Sequence, residues 1–484
     1  MTEDVIVVGA GPVGLMLACE LRLAGLRPVV LERRPEPSDL PRANGLVGQV
    51  VDVLDRRGLL ERFRAESPYS GAVPGFPFGS VPLRFGALDP NPVRSILVQQ
   101  PRIERLLTDR AVELGADIRR GHTVRDLVQD DDGVELDVVG PDGGHRLRAR
   151  YVVGCDGSRS PVREFADIGF PGTTDREVMR MGHFRTADPV PGPAAGPPGW
   201  KRLPGGRVLI ASLHPGVLMV AVREEGDSTD TGPLGLDEMR ASLRRVLGTD
   251  LPLGDPLWLS RTVSQARLAE TYRKGRVLLA GDAAHLFPAG GSALNVGLLD
   301  TVNLGWKLAA DVRGRAPEGL LDSYHAERHP VGARNLVHTR AQAALERAPG
   351  EEGDALRALL TEVFAFPEPL RHLADLVQGS DVRYDLPGDP HPLLGRFLPD
   401  FPLTTAAGPT RLAELLRTGG HLLLDFTGGC ADVVHDGVAV VRASSDQAPA
   451  DAVLVRPDGH VAWVAGGAGP REALDRWVGQ AVAA

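Results

Sequence analysis

The sequence predicts an α/β chain: a Rossmann-like dinucleotide-binding domain with an inserted antiparallel β lobe, then a helical segment and a separate C-terminal α/β domain. Three observations predict it. The first 34 residues run strand, glycine loop, helix, strand, acid. Residues 170–265 change to strands separated by turns. Past a proline-rich break at 387–392, strands and a hairpin resume. At 484 residues the length suits two to four domains with large cores.

The opening pattern carries the most chemistry. Asp4-Val5-Ile6-Val7-Val8 is a β-branched run bounded by glycine, which predicts a buried strand. Gly9-Ala10-Gly11-Pro12-Val13-Gly14 follows and opens a helical stretch, Leu15 to Ala24, that stops at Gly25. Pro28-Val29-Val30-Leu31 then ends in Glu32. This is the dinucleotide fingerprint in its required context. Gly9 allows a tight turn, Gly11 lets the backbone approach a pyrophosphate, and Gly14 lets helix and strand pack closely. The helix N-terminus offers unpaired N–H groups to that pyrophosphate, and Glu32 accepts from a ribose. Which dinucleotide is held stays open at this point.

After Glu32-Arg33-Arg34 comes a proline-rich turn, then Arg42 and a predicted helix from Gln49 to Arg64. Position alone lets Arg42 be a phosphate neighbour or a solvated loop arginine. Residues 68–96 read as loops and small strands inserted into the nucleotide fold. Ser95–Gln100 returns to strand character, and Pro101 starts a helix through Leu114. Strands are expected at Asp117–Arg119, Thr123–Val128, Gly133–Val138 and Leu147–Val153, the last two around a Pro141-Asp142-Gly143-Gly144 turn. The final strand runs into Gly154-Cys155-Asp156-Gly157, which taken alone reads more readily as a plain turn and helix cap than as a site.

In the β lobe, strands are expected at Arg207–Ala211 and Val217–Val222, with one helix near Leu236–Val246. Proline and glycine between Pro189 and Gly206 predict a mobile surface loop. Gly275 to His285 then reads as a buried strand delivering Asp282 at its carboxyl end, where open α/β sheets bind ligands. His285 reads as a structural histidine bonded to its loop, with a base as the alternative. Small residues from Pro288 to Gly297 lead into a helix near Leu298–Val312. Helices follow over Leu320–Arg347 and Asp354–Val377. The tail shows strands at Leu422–Phe426 and Val438–Val441, a hairpin of Ala452–Arg456 against His460–Val464, and a helix from Pro470.

Composition narrows the function. A net charge of −9 argues against nucleic acid or an acidic membrane surface as main partner. No run approaches 18 uninterrupted apolar residues, and no signal-peptide pattern precedes the first strand, so a cytosolic enzyme is expected. Cys19, Cys155 and Cys430 show no C-x-x-C spacing, which argues against a metal site or disulfide framework.

The ordered set of Gly9–Gly14 with Glu32-Arg33, Gly154–Gly157 and Gly281-Asp282 resembles the single-component FAD-dependent aromatic monooxygenases of the para-hydroxybenzoate hydroxylase-like family. It is most similar to the hydroxylases that tailor angucyclines, anthracyclines and tetracyclines in antibiotic biosynthesis. The resemblance spans the chain, and His391-Pro392-Leu393-Leu394-Gly395 resembles the start of that family's thioredoxin-like domain, here without a CxxC pair. It implies three parts. Residues 1–72, 97–169 and 266–390 form the FAD-binding domain with its helices, 73–96 and 170–265 the substrate-binding β lobe, and 391–484 the thioredoxin-like domain.

The resemblance also implies roles. Gly9, Gly11, Pro12, Val13 and Gly14 would surround the FAD pyrophosphate, Glu32 the ribose, Arg33 the adenine and Arg42 a phosphate. Gln100 would lie near the ribityl chain or flavin, and Val124 would meet the adenine through its backbone. Asp156 and Gly157 belong to a segment that serves both FAD and NADPH. Asp282 would bond the ribityl hydroxyls, and Pro288, Gly291, Leu294 and Asn295 would line the flavin ring. No second fingerprint is present, which fits NADPH that binds transiently. The implied reaction is hydroxylation of a polycyclic aromatic polyketide by O₂ through a flavin C4a-hydroperoxide, needing no catalytic side-chain nucleophile. Baeyer–Villiger or epoxidising oxygenation, and a flavin-binding protein without turnover, stay open as alternatives. The oligomeric state is not read. The pocket is expected between the β lobe and the flavin, with Phe184, Trp200, Leu209 and Met219 as candidates against an ordinary core role. Two positions depart from the family pattern. Ala293 stands where Gly-Gly-Gln-Gly-Met-Asn has its last glycine, and Gln49 replaces an arginine.

Overall fold

The computed structural model describes residues 2–40, 43–186, 200–214, 216–225, 232–288, 293–467 and 469–479. Its organising element is a mixed sheet whose parallel core runs, in spatial order, Val277–Leu279, Gly143–Gly154, Thr2–Val8, Pro28–Glu32 and Asp117–Arg120. The strands are in close register: Val8 pairs with Leu31 on one side and Gly154 on the other, and Gly154 pairs with Leu279. Strands buried on both faces need continuous apolar runs, which is what Val5–Val8, Val29–Leu31 and Val277–Leu279 supply. The helix Pro12–Leu23 lies between the helices Gln100–Glu113 and Ala293–Val312, and is buried from Gly14 to Leu21 on all sides. The N-terminal part of Gly143–Gly154 leaves this core to form an antiparallel meander with Val134–Gly140 and Thr123–Gln129, as the alternating pattern predicts.

The β lobe is a six-stranded sheet in the order Lys201–Leu203, Gly206–His214, Val217–Glu224, Gly172–Arg185, Pro256–Leu268, His285–Leu286. One face packs on the helix Leu236–Leu247 through Phe184, Leu218, Val220 and Val222. The strand His285–Leu286 follows directly on the turn Gly281–Ala283, so the lobe is stitched to the nucleotide sheet at that point. Most of the predicted Pro189–Gly206 loop lies outside the described residues, while Lys201–Leu203 within it is a strand.

Three expectations are corrected. The helix expected over Gln49–Arg64 is two, Gln49–Arg56 and Leu60–Ala65, broken where Gly58 takes φ +67°. The helix expected over Asp354–Val377 is also two, Gly350–Val363 and Pro367–Gln378, because Pro367 disfavours helical backbone at Phe366 before it. Residues 73–96, assigned with the β lobe, instead bury Phe78, Val81, Leu83 and Phe85 against Leu345, Leu370 and Leu373 of the helical segment.

The C-terminal sheet has the order Gly408–Arg411, Pro402–Thr405, Val438–Ser444, His421–Asp425, Ala452–Val455, Val461–Val464. Its last four strands run second, first, third, fourth, with the first pair parallel and the rest antiparallel, and the helix Pro470–Trp477 closes it. That is thioredoxin-like connectivity, except that no helix is assigned in the crossover between His421–Asp425 and Val438–Ser444.

Buried charge fastens this domain to the rest. Lys307 Nζ donates to Glu327 (2.7 Å), Arg456 donates to both Glu327 (2.8 Å) and Asp458, and Asn303 bridges the two carboxylates. Arg456 and Lys307 beside Glu327 hold its carboxyl down to about 2, against burial that pushes it up. Arg57 joins Glu20 (2.7 Å) to the Pro457 carbonyl (2.8 Å), and Arg56 donates to the Leu398 carbonyl.

Candidate functional site

Because the four central strands are in register, their carboxyl ends deliver four segments to one edge: Gly9–Val13, Glu32–Arg34, Cys155–Gly157 and Ala280–Asp282. All four line an open cleft of about 660 Å³, closed further by Gln100, Phe76, Ala293 and Leu294. That lies within the roughly 300–1,000 Å³ of a ligand pocket, and its lining spans all four strand ends, as an extended dinucleotide requires.

The glycines divide by what surrounds them. Gly9 has φ +107°, and a Cβ there would sit 2.4 Å from the Cys155 carbonyl oxygen. A Cβ on Gly14 would sit 1.9 Å from the Gly9 carbonyl oxygen. These two are glycine because protein occupies the space. A methyl on Gly11 or on Gly157 would meet nothing within 4 Å, and both residues face the cleft. They leave a cradle that a side chain would fill. The helix Pro12–Leu23 begins there with no side-chain cap, so its first N–H groups are available to an anion.

Glu32 is held in place by the loop it faces. One carboxylate oxygen accepts from the Ala10 N–H (2.8 Å) and the other from the Arg34 N–H (2.9 Å). A carboxylate has about four acceptor sites, so lone pairs are left for a ligand hydroxyl. Asp156 accepts from the Val162 N–H (3.0 Å), while its Oδ1 is buried with no hydrogen-bond partner. Burial pushes its carboxyl up, opposed by hydrogen bonds from Ser160 and Val162. Gln100 donates to Glu104 (2.8 Å), and both line the cleft.

Asp282 is exposed on the cleft side of the turn Gly281–Ala283. Behind it a buried latch fixes the turn. Asp300 accepts from His285 Nε2 (2.8 Å) and from Arg328 Nε (2.8 Å), and Arg328 also donates to the Tyr384 hydroxyl (3.1 Å). Burial pushes the Asp300 carboxyl up, but Arg328 and His285 together hold it below its usual value. His285 is fully buried and stacked on Phe287, a structural role, but its ring is bonded to Asp300 of the helix Ala293–Val312 and not, as expected from the sequence, to its own loop.

Gly9, Gly11, Pro12, Val13, Glu32, Arg33, Gln100, Asp156, Gly157, Asp282 and Leu294 therefore share the cleft. Gly14 lies behind it as a packing residue. Arg42 and Gly291 lie outside the described residues. Val124 and Pro288 are not in the lining, whereas Arg120 is. Asn295 turns away from the cleft: its Oδ1 accepts from the Val47 N–H (3.0 Å), and its side chain faces a second, smaller cavity. Gln49 lines that second cavity too. The two cavities share Val47 and Phe76 as a common wall. Phe184 is fully buried against the helix Leu236–Leu247 and is no pocket residue, whereas Leu209 and Met219 are half-buried on the opposite face of the sheet. Trp200 is half-buried near the Arg223 guanidinium. The second cavity takes no lining residue from 170–265; its walls come from Val47, Gln49, Phe76, the start of the helix Ala293–Val312 and the helical segment.

Sequence reasoning missed Phe76, Arg120, Asp300 and Arg328. Asp300 was marked only as a polar residue in an otherwise apolar helix, while Arg328 sits among polar neighbours, His325, Glu327 and His329, and carried no signal of its own. Among the described residues no helix is long and apolar enough to cross a membrane.

Comparison with known proteins agrees with this geometry. The FAD binding domain family matches residues 2–339, and the aromatic-ring hydroxylase C-terminal family matches residues 391–481. A 12-dehydrotetracycline 5-monooxygenase/anhydrotetracycline 6-monooxygenase of Streptomyces rimosus is 43% identical over 99% of both chains. A rifampicin monooxygenase of Streptomyces venezuelae is 44% identical over 99% of both. The crystal structure of CabE, an aromatic hydroxylase from angucycline biosynthesis, superposes with a TM-score of 0.92 at 43% identity, covering 100% of each chain. The chain belongs to the FAD-dependent aromatic-ring hydroxylases, monooxygenases that use NAD(P)H and O₂.

Proposed function

We propose that this FAD-dependent monooxygenase hydroxylates a polycyclic aromatic substrate of the polyketide type. The observation that carries the reading is the shared wall: a dinucleotide-sized cleft and a mostly apolar cavity meet at Val47 and Phe76. Bound FAD supplies hydride acceptance from NADPH and activation of O₂. The chain's own residues bind, orient and exclude water. Gly11 and the uncapped N-terminus of Pro12–Leu23 hold the pyrophosphate. Glu32 keeps its spare lone pairs for the ribose, and Arg33 covers the adenine side. Asp282 and Gln100 meet the ribityl hydroxyls. Ala293 and Leu294 bring the N-terminus of a 20-residue helix, Ala293–Val312, against the ring system. A helix N-terminus favours negative charge beside it. The substrate's rings occupy the second cavity, and the wall of Val47 and Phe76 sets how far they reach toward the flavin.

The relatives that act on tetracycline intermediates and rifampicin, and the angucycline hydroxylase, support a large fused-ring substrate over a single-ring phenol. The test is to purify the protein and record its spectrum. NADPH oxidation is then followed across polycyclic phenols and quinones, with products weighed by mass spectrometry. A flavin spectrum with a gain of one oxygen and an intact ring is expected. Ring expansion to a lactone would replace hydroxylation by Baeyer–Villiger oxygenation, and a colourless protein would sink the reading.

A further inference from the structure

The second cavity has two unlike walls. One is apolar, formed by Val47, Phe76, Val296, Leu299 and Val377. The other is a polar stripe on the helix Ser323–Arg347. Asn335, His338 and Gln342 stand at i, i+3 and i+7, a spacing that keeps side chains on one helical face.

Their hydrogen bonds all run one way. Gln342 Nε2–H donates to His338 Nδ1 (3.4 Å). His338 Nε2–H donates to Asn335 Oδ1 (3.1 Å), and Asn335 Nδ2–H donates to the Val331 carbonyl (3.0 Å). An amide oxygen only accepts and an amide nitrogen only donates, so the chain fixes a neutral imidazole with its proton on Nε2. Burial, with Arg334 nearby, pushes that imidazole down to about 4, and the ladder stays uncharged at neutral pH.

The charged groups at this cavity are already committed. Arg328 is bonded to Asp300, Tyr384 and the Val296 carbonyl. Arg334 is paired with Asp381. Each ladder amide has a second N–H beyond the one used in the chain. Seven residues of helix separate Asn335 from Gln342, so those groups lie about 10 Å apart along the helix axis.

We propose that the Asn335–His338–Gln342 ladder positions the substrate and selects an uncharged ring edge over a carboxylate. The substrate's ring face lies on the apolar wall, and oxygens along one edge accept from the amide N–H groups. A carboxylate on the rings is disfavoured, because among the described residues the cations lining the cavity, Arg328 and Arg334, are already paired with Asp300 and Asp381. The proposal rests on the second cavity being the substrate pocket.

Calorimetric titration of the flavin-loaded protein with emodin and with emodic acid tests it. These anthraquinones differ by a methyl against a carboxylate. Emodin is expected to bind at least tenfold more tightly. His338→Phe and Gln342→Leu should each weaken emodin about tenfold. The double variant should weaken it far less than a hundredfold, because both changes break one chain. Flavin content and melting temperature are measured alongside. Lower values for both variants, with the emodin to emodic acid ratio unchanged, assign the ladder a structural role and overturn the proposal. So do binding of neither ligand, equal binding of both, or His338→Phe within twofold of the parent. Calorimetry needs no turnover, so emodin that binds but drives no NADPH oxidation counts against the monooxygenase reading alone.

Discussion

At the join with the C-terminal domain, Lys307, Glu327, Arg456 and Asp458 meet at 5% exposure or less, and each charge faces its opposite. In the cleft, Glu32 and Asp156 are less buried, and each spends only part of its bonding capacity on the protein. The glycines repeat the contrast. Gly9 and Gly14 are filled around by backbone, while Gly11 and Gly157 open onto empty space. Burial of charge is therefore a poor guide to function in this chain. Incomplete satisfaction beside open volume is a better one, because an unmet polar group costs stability unless a ligand completes it.

The hardest test of the contrast is Arg456→Met. It leaves Glu327 and Asp458 with Lys307 as their remaining buried cation, and removing one member of a buried ion pair costs about 3–5 kcal/mol. The unfolding free energy from urea titration should fall by that amount, with the C-terminal domain loosening first.

Acid should find the same interface. Burial pushes His421 down to about 3, and burial also lowers His460 despite Asp458 beside it. In the unfolded chain both take up a proton near 6.5. Between that pH and their folded values the unfolded state binds more protons, so stability falls as pH drops. The slope is at most about 1.4 kcal/mol per pH unit for each histidine. Urea midpoints from pH 7 to 4 should show this fall, and His421→Phe with His460→Phe should flatten it.

Gly11→Ala sharpens the other side. Its methyl meets no protein atom, so the melting temperature of the flavin-free protein should not change. Flavin affinity should drop at least tenfold, about 1.4 kcal/mol. Gly14→Ala, with backbone in the way, should instead lower stability itself. The smallest effect is expected of Ala293→Gly, a few-fold change in flavin affinity or reduction rate in stopped-flow measurements. No change in either would mean that the Ala293 methyl does not press on the ring.

The nucleotide-binding strands, their glycines and Glu32 were legible because their signals are local: β-branched runs, a glycine spacing, an acid at a strand end. Asp156 and Asp282 were legible for the same reason. What long-range packing decides was not. Nothing near residue 76 announces that Phe76 packs on helices 260 or more residues away. Arg456 and Lys307 look like surface charges until their partners arrive from other segments. Asn295 sits in a loop motif that implied a flavin contact, yet its amide is spent on Val47. The break at Gly58 had a glycine to mark it, but a single glycine inside an otherwise helical pattern is tolerated often enough to be read through.

The wall of Val47 and Phe76 belongs to both cavities, so on the proposed reading flavin and an aromatic guest can each sense the other through it. Free energies of binding at two sites are reciprocal. Whatever factor an aromatic guest changes the hold on flavin, flavin must change the hold on that guest by the same factor. A guest that presses Val47 outward would loosen the cofactor, and one that braces it would tighten both. In the second case the resting protein is a weak receptor until its flavin is in place, and a chain short of flavin would release its aromatic cargo unreacted.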